Sequence, residues 1–150
     1  MSLSVIKEID FGNVETASYF YVNMCSGPDF YRFRMKPEEA KPFMEKLDKA
    51  ESILTEALKK IDDGNEEVHA LCYEEGEDEN EGSIVFTAYL LDSVAINREI
   101  YSEGDGIQVL DNITEQDLQH VHVVCDLVAE DFDGGSLLVL RLVSLDVVDE

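Results

Sequence analysis

The chain has 150 residues, 45% of them hydrophobic, and its 34 acidic side chains outnumber 11 basic ones to give a net charge of −23. This length fits one domain over residues 1–150, and so negative a chain disfavours nucleic acid or an anionic membrane as a direct ligand. Three widely spaced cysteines (Cys25, Cys72 and Cys125) and no apolar run of membrane-spanning length indicate a reducing cytoplasm.

Two strands are predicted early in the chain, at residues 17–25 and 30–35, on either side of a turn at 26–29. In the second strand, apolar and basic residues alternate: Tyr31, Arg32, Phe33, Arg34 and Met35. Together with Lys36, this segment resembles a platform for single-stranded nucleic acid. In a chain of this charge, we interpret it instead as the place where local positive charge meets the protein's own acids.

One long amphipathic helix is predicted for residues 37–63. Its apolar residues recur at steps of three and four and form one stripe: Ala40, Phe43, Met44, Leu47, Ala50, Leu54, Ala57, Leu58 and Ile61. Pro37 suits a first turn, whereas Pro42 lies beyond it and predicts either a kink or a helix start at Pro42 itself. Gly64 is predicted to end the helix.

The middle of the chain is again typical of strands. Residues 67–74 and 83–91 bracket an acidic loop and predict a hairpin, and a segment near 94–101 extends or bends the second of these strands. The run Thr114-Glu115-Gln116-Asp117 resembles a capping box with Asp in place of Glu, which predicts a short helix at 115–120.

Two closing strands are predicted at residues 121–129 and 136–148, separated by a turn at 131–135. The last strand is apolar on both faces, which is typical of a central strand in a covered sheet or of a subunit interface. The whole pattern predicts an α+β fold, with a mostly antiparallel sheet of about six or seven strands packed on the long helix, and a short second helix near 115–120.

His120, His122 and Asp126 are candidate metal ligands. On one strand they point to the same face, and two imidazoles with a carboxylate suit zinc or another divalent metal. The alternative is a surface or helix-end role, and we expect no cofactor. His69 and Cys72 would point to opposite faces of a strand, so Cys72 is interpreted as a small buried apolar residue.

The acidic loop supplies candidate contacts for a basic partner: Glu77, Asp78, Glu79 and Glu81. An EF-hand is excluded, because Ala88 stands where that loop needs a bidentate glutamate. A solvated hairpin tip is the simpler interpretation.

The charge therefore favours a non-catalytic, acidic interaction protein: an inhibitor, an immunity protein or a DNA-mimic decoy that binds a basic protein surface and contacts neither nucleic acid nor a membrane. An alternative is a structural or regulatory homo-oligomer, such as a homodimer, joined through residues 136–148. A metal-dependent enzyme using His120 and His122 is a third hypothesis. Adaptation to high salt would also explain the acid excess.

Overall fold

The computed structural model describes residues 2–17, 29–62, 67–70, 72–114, 116–132 and 135–148. Within them the α-helices are α1 (Pro37–Asp62) and α2 (Glu103–Asn112). The β-strands are β1 (Ser2–Thr16), β2 (Phe30–Met35), β3 (Glu67–Ala70), β4 (Tyr73–Glu75), β5 (Ile84–Tyr89), β6 (Val94–Ile96), β7 (Glu99–Tyr101), β8 (Val121–Phe132) and β9 (Gly135–Val147). The α+β class is confirmed, and the sheet is larger than the predicted six or seven strands. Neither helix of the described chain is long and apolar enough to cross a bilayer.

Five of the strands close into a barrel. They pair in the order β5-β2-β1-β8-β9, and β9 pairs back with β5. The closing pair is parallel, with Ala88 beside Leu140, whereas the other pairs of the ring are antiparallel. β9 also runs parallel to β3 and β6. The sheet is therefore mixed, and every parallel pairing among the described residues involves β9.

The apolar character of β9 is explained by its position within the sheet of a single chain. Both edges of the strand are paired, and its inward leucines are buried: Leu138, Leu140, Leu142 and Leu145. The prediction of a central strand is confirmed. The apolar pattern of β9 therefore no longer supports the homo-oligomer hypothesis, because the strand is paired and buried within its own chain.

Helix α1 covers the barrel with the predicted stripe. Ala40, Leu47 and Ala50 are buried, and Phe43 packs against Phe11 of β1 with ring centroids 4.7 Å apart. The helix begins at Pro37 and not at Pro42, because the carbonyl of Lys36 accepts hydrogen bonds from the N–H groups of the first turn. Pro42 has no N–H to donate to the carbonyl of Glu38, and Glu38 lies in the exposed first turn, where that carbonyl is open to solvent. The predicted end at Gly64 lies outside the described residues, as do residues 18–28 of the first predicted strand and turn.

The longest strand, β1, has no counterpart in the sequence prediction. Its pairing with β8 shifts register three times, and Glu8 and Gly12 have positive φ angles of 53° and 74°. Such bulges insert extra residues and break the two-residue alternation that identifies a strand. The buried residues Ile9, Phe11 and Val14 accordingly follow steps of two and three.

The second helix lies at α2 and not at residues 115–120. Ser102 caps α2, since its Oγ accepts a hydrogen bond from the N–H of Asp105 at 3.3 Å. Thr114 also caps as predicted, accepting from the N–H of Asp117 at 3.2 Å, but only a single 3₁₀ turn follows, at Asp117–Gln119. Two glycines near the start of α2 lower its helix propensity, so the sequence pattern did not predict a helix there.

The strands on either side of β5 differ in part from the predicted hairpin and its extension. The strand predicted at residues 67–74 is divided: β3 pairs parallel with β9, and only β4 forms the predicted antiparallel hairpin with β5 across the acidic loop. Residues 94–101 do not extend β5 but form a separate hairpin of β6 and β7. Its turn residues Asn97 and Arg98 have φ angles of 50° and 71°, the left-handed pair that a type I′ hairpin turn requires.

Candidate functional site

The two sides of β2 carry different residues, because successive side chains of a strand point in opposite directions. Tyr31 and Phe33 point into the barrel and are fully buried. Phe30, Arg32 and Arg34 point outward and are partly exposed. The half-buried strand is confirmed, but the aromatic rings noted in the sequence belong to the core and not to a binding surface.

The outward face of β2 continues onto β5 and β9. Tyr89 pairs with Phe30 of β2 and also lies beside Arg141 of β9. The rings of Phe30 and Tyr89 meet edge to face, with centroids 5.9 Å apart and planes at 62°. We call Phe30, Arg32, Arg34, Tyr89 and Arg141 the arginine–aromatic strip. It holds three of the four arginines of the chain.

Two arginines of the strip are held by exposed or half-exposed acids. Arg32 forms an ion pair with Glu74 of β4, whose side chain is 64% exposed. Arg34 lies 3.1 Å from a carboxylate oxygen of Glu15, and its Nη1 donates to Oδ1 of Asn80 at 3.1 Å. The interpretation of this strand as a meeting point of basic and acidic groups is therefore confirmed.

Arg141, the third arginine, pairs with a buried acid. Asp126 is only 4% exposed and forms an ion pair with Arg141. Its other oxygen accepts the backbone N–H of Glu8 at 2.8 Å, and Asp92 lies 3.7 Å from Arg141 on the solvent side. Within the described residues, the buried Nε–H groups of Arg32 and Arg141 have no hydrogen-bond acceptor.

This arrangement suits a ligand that has both anionic groups and flat rings. Guanidinium groups offer a planar fork of donors that matches phosphate oxygens, and they also stack on aromatic faces. Aromatic side chains on an open strand surface provide stacking partners for nucleic-acid bases. Burial raises the pKa of Tyr89 above its ordinary value of 10.0, so the ring stays neutral beside Arg141 at physiological pH.

The predicted metal ligands do not converge. His122 places Nε2 2.6 Å from Oδ1 of Asp10, Asp126 is engaged by Arg141, and exposed His120 precedes β8. No three His, Cys, Asp or Glu groups come together as ligands in the part of the chain that is described. The metal-site prediction therefore has no support among the described residues, because His122 contacts Asp10 and Asp126 is held by Arg141.

The acidic loop borders the strip. Its four candidate contacts are exposed, as predicted for a hairpin tip: Glu77, Asp78, Glu79 and Glu81. The loop contacts the strip at Arg34, whose Nη1 donates a hydrogen bond to the carbonyl of Glu79 at 3.2 Å. Whether these four acids contact a partner stays a prediction.

The two described cysteines are inert core residues. Cys72 and Cys125 are both buried, and burial raises the pKa of the Cys72 thiol to about 12 and that of Cys125 well above its ordinary value. The interpretation of Cys72 as a small apolar residue is confirmed. Cys25 and the side chain of His69 lie outside the described residues.

The ring of five strands defines the class of fold. A closed five-stranded barrel, antiparallel except for one parallel closure, has the pairing order of the oligonucleotide-binding (OB) fold, a Greek-key barrel. In such barrels the ligand lies on the outward face of the second and third barrel strands. Here those strands are β2 and β5, which carry most of the arginine–aromatic strip.

Comparison with solved structures agrees with this class. The chain is similar to the single-stranded DNA-binding protein from bacteriophage Enc34 in complex with ssDNA, with a TM-score of 0.60 and 18% identity over 96% of this chain and 87% of that one. The same phage protein without DNA gives a TM-score of 0.56, again with 18% identity, over 96% and 83% of the two chains. Its C-terminal truncation gives 0.58 at the same identity. No protein-family model and no curated protein sequence matches.

These neighbours contradict the function predicted from charge. The prediction of an acidic inhibitor, immunity protein or DNA-mimic decoy is wrong, and so is the exclusion of nucleic acid as a direct partner, because the proteins that share the fold are single-stranded DNA-binding proteins. The net charge of −23 is a sum over the chain and does not show where its few basic side chains lie. The strip instead gathers three arginines on one face. Sequence reasoning noticed Arg32 and Arg34 but missed Tyr89 and Arg141, which only the barrel brings beside them.

Proposed function

We propose that the chain is a single-domain cytoplasmic protein that binds single-stranded nucleic acid on the arginine–aromatic strip. The strip is the observation that carries the proposal: one outward face of an OB-type barrel holds three of the four arginines and two touching aromatic rings. The phage protein with this fold binds single-stranded DNA, which supports the same ligand class here.

The negative net charge repels a nucleic acid over long distances, whereas stacking and hydrogen bonds at the strip act only at direct contact. At physiological ionic strength, charges farther apart than about 8 Å are largely screened, so the distant acids contribute little repulsion. Stacking of a base on an aromatic ring contributes about 1–3 kcal/mol and needs no positive charge. Two rings therefore supply about 2–6 kcal/mol before any phosphate contact is counted. We expect recognition that depends mainly on stacking, with the arginines orienting the backbone.

The proposal is tested by fluorescence anisotropy with a labelled oligo(dT) of about 16 nucleotides, the upper site size of one OB barrel. Arg32→Gln and Arg98→Gln make the same change in net charge, but only Arg32 lies on the strip. We expect Arg32→Gln to weaken binding about tenfold, as for a hydrogen bond to a charged group, and Arg98→Gln to change it by less than about twofold.

Two outcomes contradict the proposal. If the unaltered protein binds no oligonucleotide at low salt, the chain is not a single-strand binder. If both arginine variants lose the same affinity, binding reflects overall charge and not the strip.

A further inference from the structure

We infer that Glu74 is an intramolecular competitor of the nucleic-acid phosphate at Arg32. This inference rests on the proposed function and concerns how the same strip is regulated. Glu74 already occupies the guanidinium group that the ligand would contact. A bound strand must therefore displace Glu74 from Arg32. Breaking this ion pair costs free energy, which lowers the affinity of the protein for the strand.

The three arginines of the strip differ in how easily their acids can leave. The carboxylate that holds Arg141 belongs to Asp126, whose side chain is 6% exposed and accepts the backbone N–H of Glu8, so moving it into solvent would break that hydrogen bond. Glu74 is 64% exposed, and among the described residues its side chain has no hydrogen bond or ion pair other than the one with Arg32. An exposed acid regains its hydration when it is released, whereas a buried one does not. Replacement of the paired carboxylate by a phosphate is thus expected at Arg32. It is expected to a smaller extent at Arg34, whose partner Glu15 is 49% exposed.

The position of Glu74 favours this role. It lies on β4, a three-residue strand that pairs with β5 opposite Val85 and so places the acid at the border of the strip. The Arg32 side chain is 19% exposed, and its Nε–H has no acceptor among the described residues. When Glu74 turns away into solvent, the guanidinium group can turn toward a phosphate, which offers more oxygen acceptors than one carboxylate.

The neighbouring residue provides a matched control. Glu74→Gln and Glu75→Gln remove one negative charge from adjacent positions of the same strand, but Glu75 is exposed on the opposite side and away from Arg32. Oligo(dT) binding is measured by anisotropy at several salt concentrations. We expect Glu74→Gln to bind about threefold to fivefold more tightly than the unaltered protein, the range of an exposed ion pair, and Glu75→Gln to change binding by less than half as much.

A second variant separates competition from charge alone. In the Arg32→Gln background no guanidinium group remains to be released, so adding Glu74→Gln should tighten binding no more than Glu75→Gln does. Equal tightening by Glu74→Gln and Glu75→Gln, or tightening that persists without Arg32, overturns the competitor role while the proposed function stands. Absence of binding by every variant overturns both.

Discussion

Asp126 and Arg141 face each other across β8 and β9 on the outward side of the barrel and form an ion pair. The carboxylate also accepts the backbone N–H of Glu8 in β1 at 2.8 Å, so one buried acid joins three neighbouring strands. Arg141 lies beside Tyr89 through the parallel pairing of β9 with β5. The pair therefore holds an arginine of the strip in place and ties the barrel together.

Asp126→Asn is expected to lower the free energy of unfolding by about 2–4 kcal/mol, because Arg141 keeps its charge and loses its buried partner. Asp92, 3.7 Å from Arg141, compensates only in part, since its side chain is 73% exposed. Urea denaturation at neutral pH measures the loss. Asp92→Asn is the control and should cost less than about 1 kcal/mol. Similar losses for the two variants would show that burial does not distinguish these acids.

The two aromatic residues of the strip should each contribute to ligand binding. Phe30→Ala and Tyr89→Ala are expected to weaken oligo(dT) binding by about 1–3 kcal/mol each, the usual effect of removing a base-stacking ring. Tyr89→Phe keeps the ring and should bind like the unaltered protein. Anisotropy gives the affinities, and thermal melting confirms that the variants remain folded. If Tyr89→Phe loses as much affinity as Tyr89→Ala, the hydroxyl and not the ring makes the contact.

The two glycines of α2 should respond in opposite directions to the same substitution. A Cβ at Gly104 meets nothing within 4 Å, so Gly104→Ala should stabilise the protein by up to about 1 kcal/mol through helix propensity. A Cβ at Gly106 would lie 2.5 Å from Cγ1 of Val94, so Gly106→Ala should destabilise it by about 1–3 kcal/mol through overpacking. Chemical denaturation compares the two variants. Equal effects would contradict the close approach of α2 to β6.

Asp10 should add a small pH dependence to stability. The hydrogen bond with His122, together with the N–H of Gly12, lowers the pKa of Asp10 below its ordinary value of 3.8. Because the folded state favours the carboxylate, this stabilisation is present above pH 3.8 and disappears as the pH falls through the lowered pKa. The side chain is 60% exposed, so the effect is modest.

Asp10→Asn tests this directly by urea denaturation at a series of pH values. The unaltered protein should be the more stable of the two near neutral pH, and the difference should shrink as the pH falls below 3.8. A difference that stays constant through the acid range would mean that the charge of Asp10 does not contribute.

Local patterns determined much of the fold. Helix α1 was predictable because its apolar stripe, acidic first turn and Pro37 all act within a few residues of one another. Strand β2 was predictable because alternation along six residues reports which side is buried. The acidic β4–β5 hairpin follows from the same kind of short-range signal. The bulges of β1 and the glycines of α2 removed that signal, so both elements were missed.

The candidate site depended on contacts that no local pattern contains. Tyr89 and Arg141 are 52 positions apart in the chain and become neighbours only where β9 closes the barrel against β5. Composition alone established that the chain is strongly acidic, because charge is a sum over residues. Where the few arginines gather is a matter of strand register, and only the tertiary structure decides it.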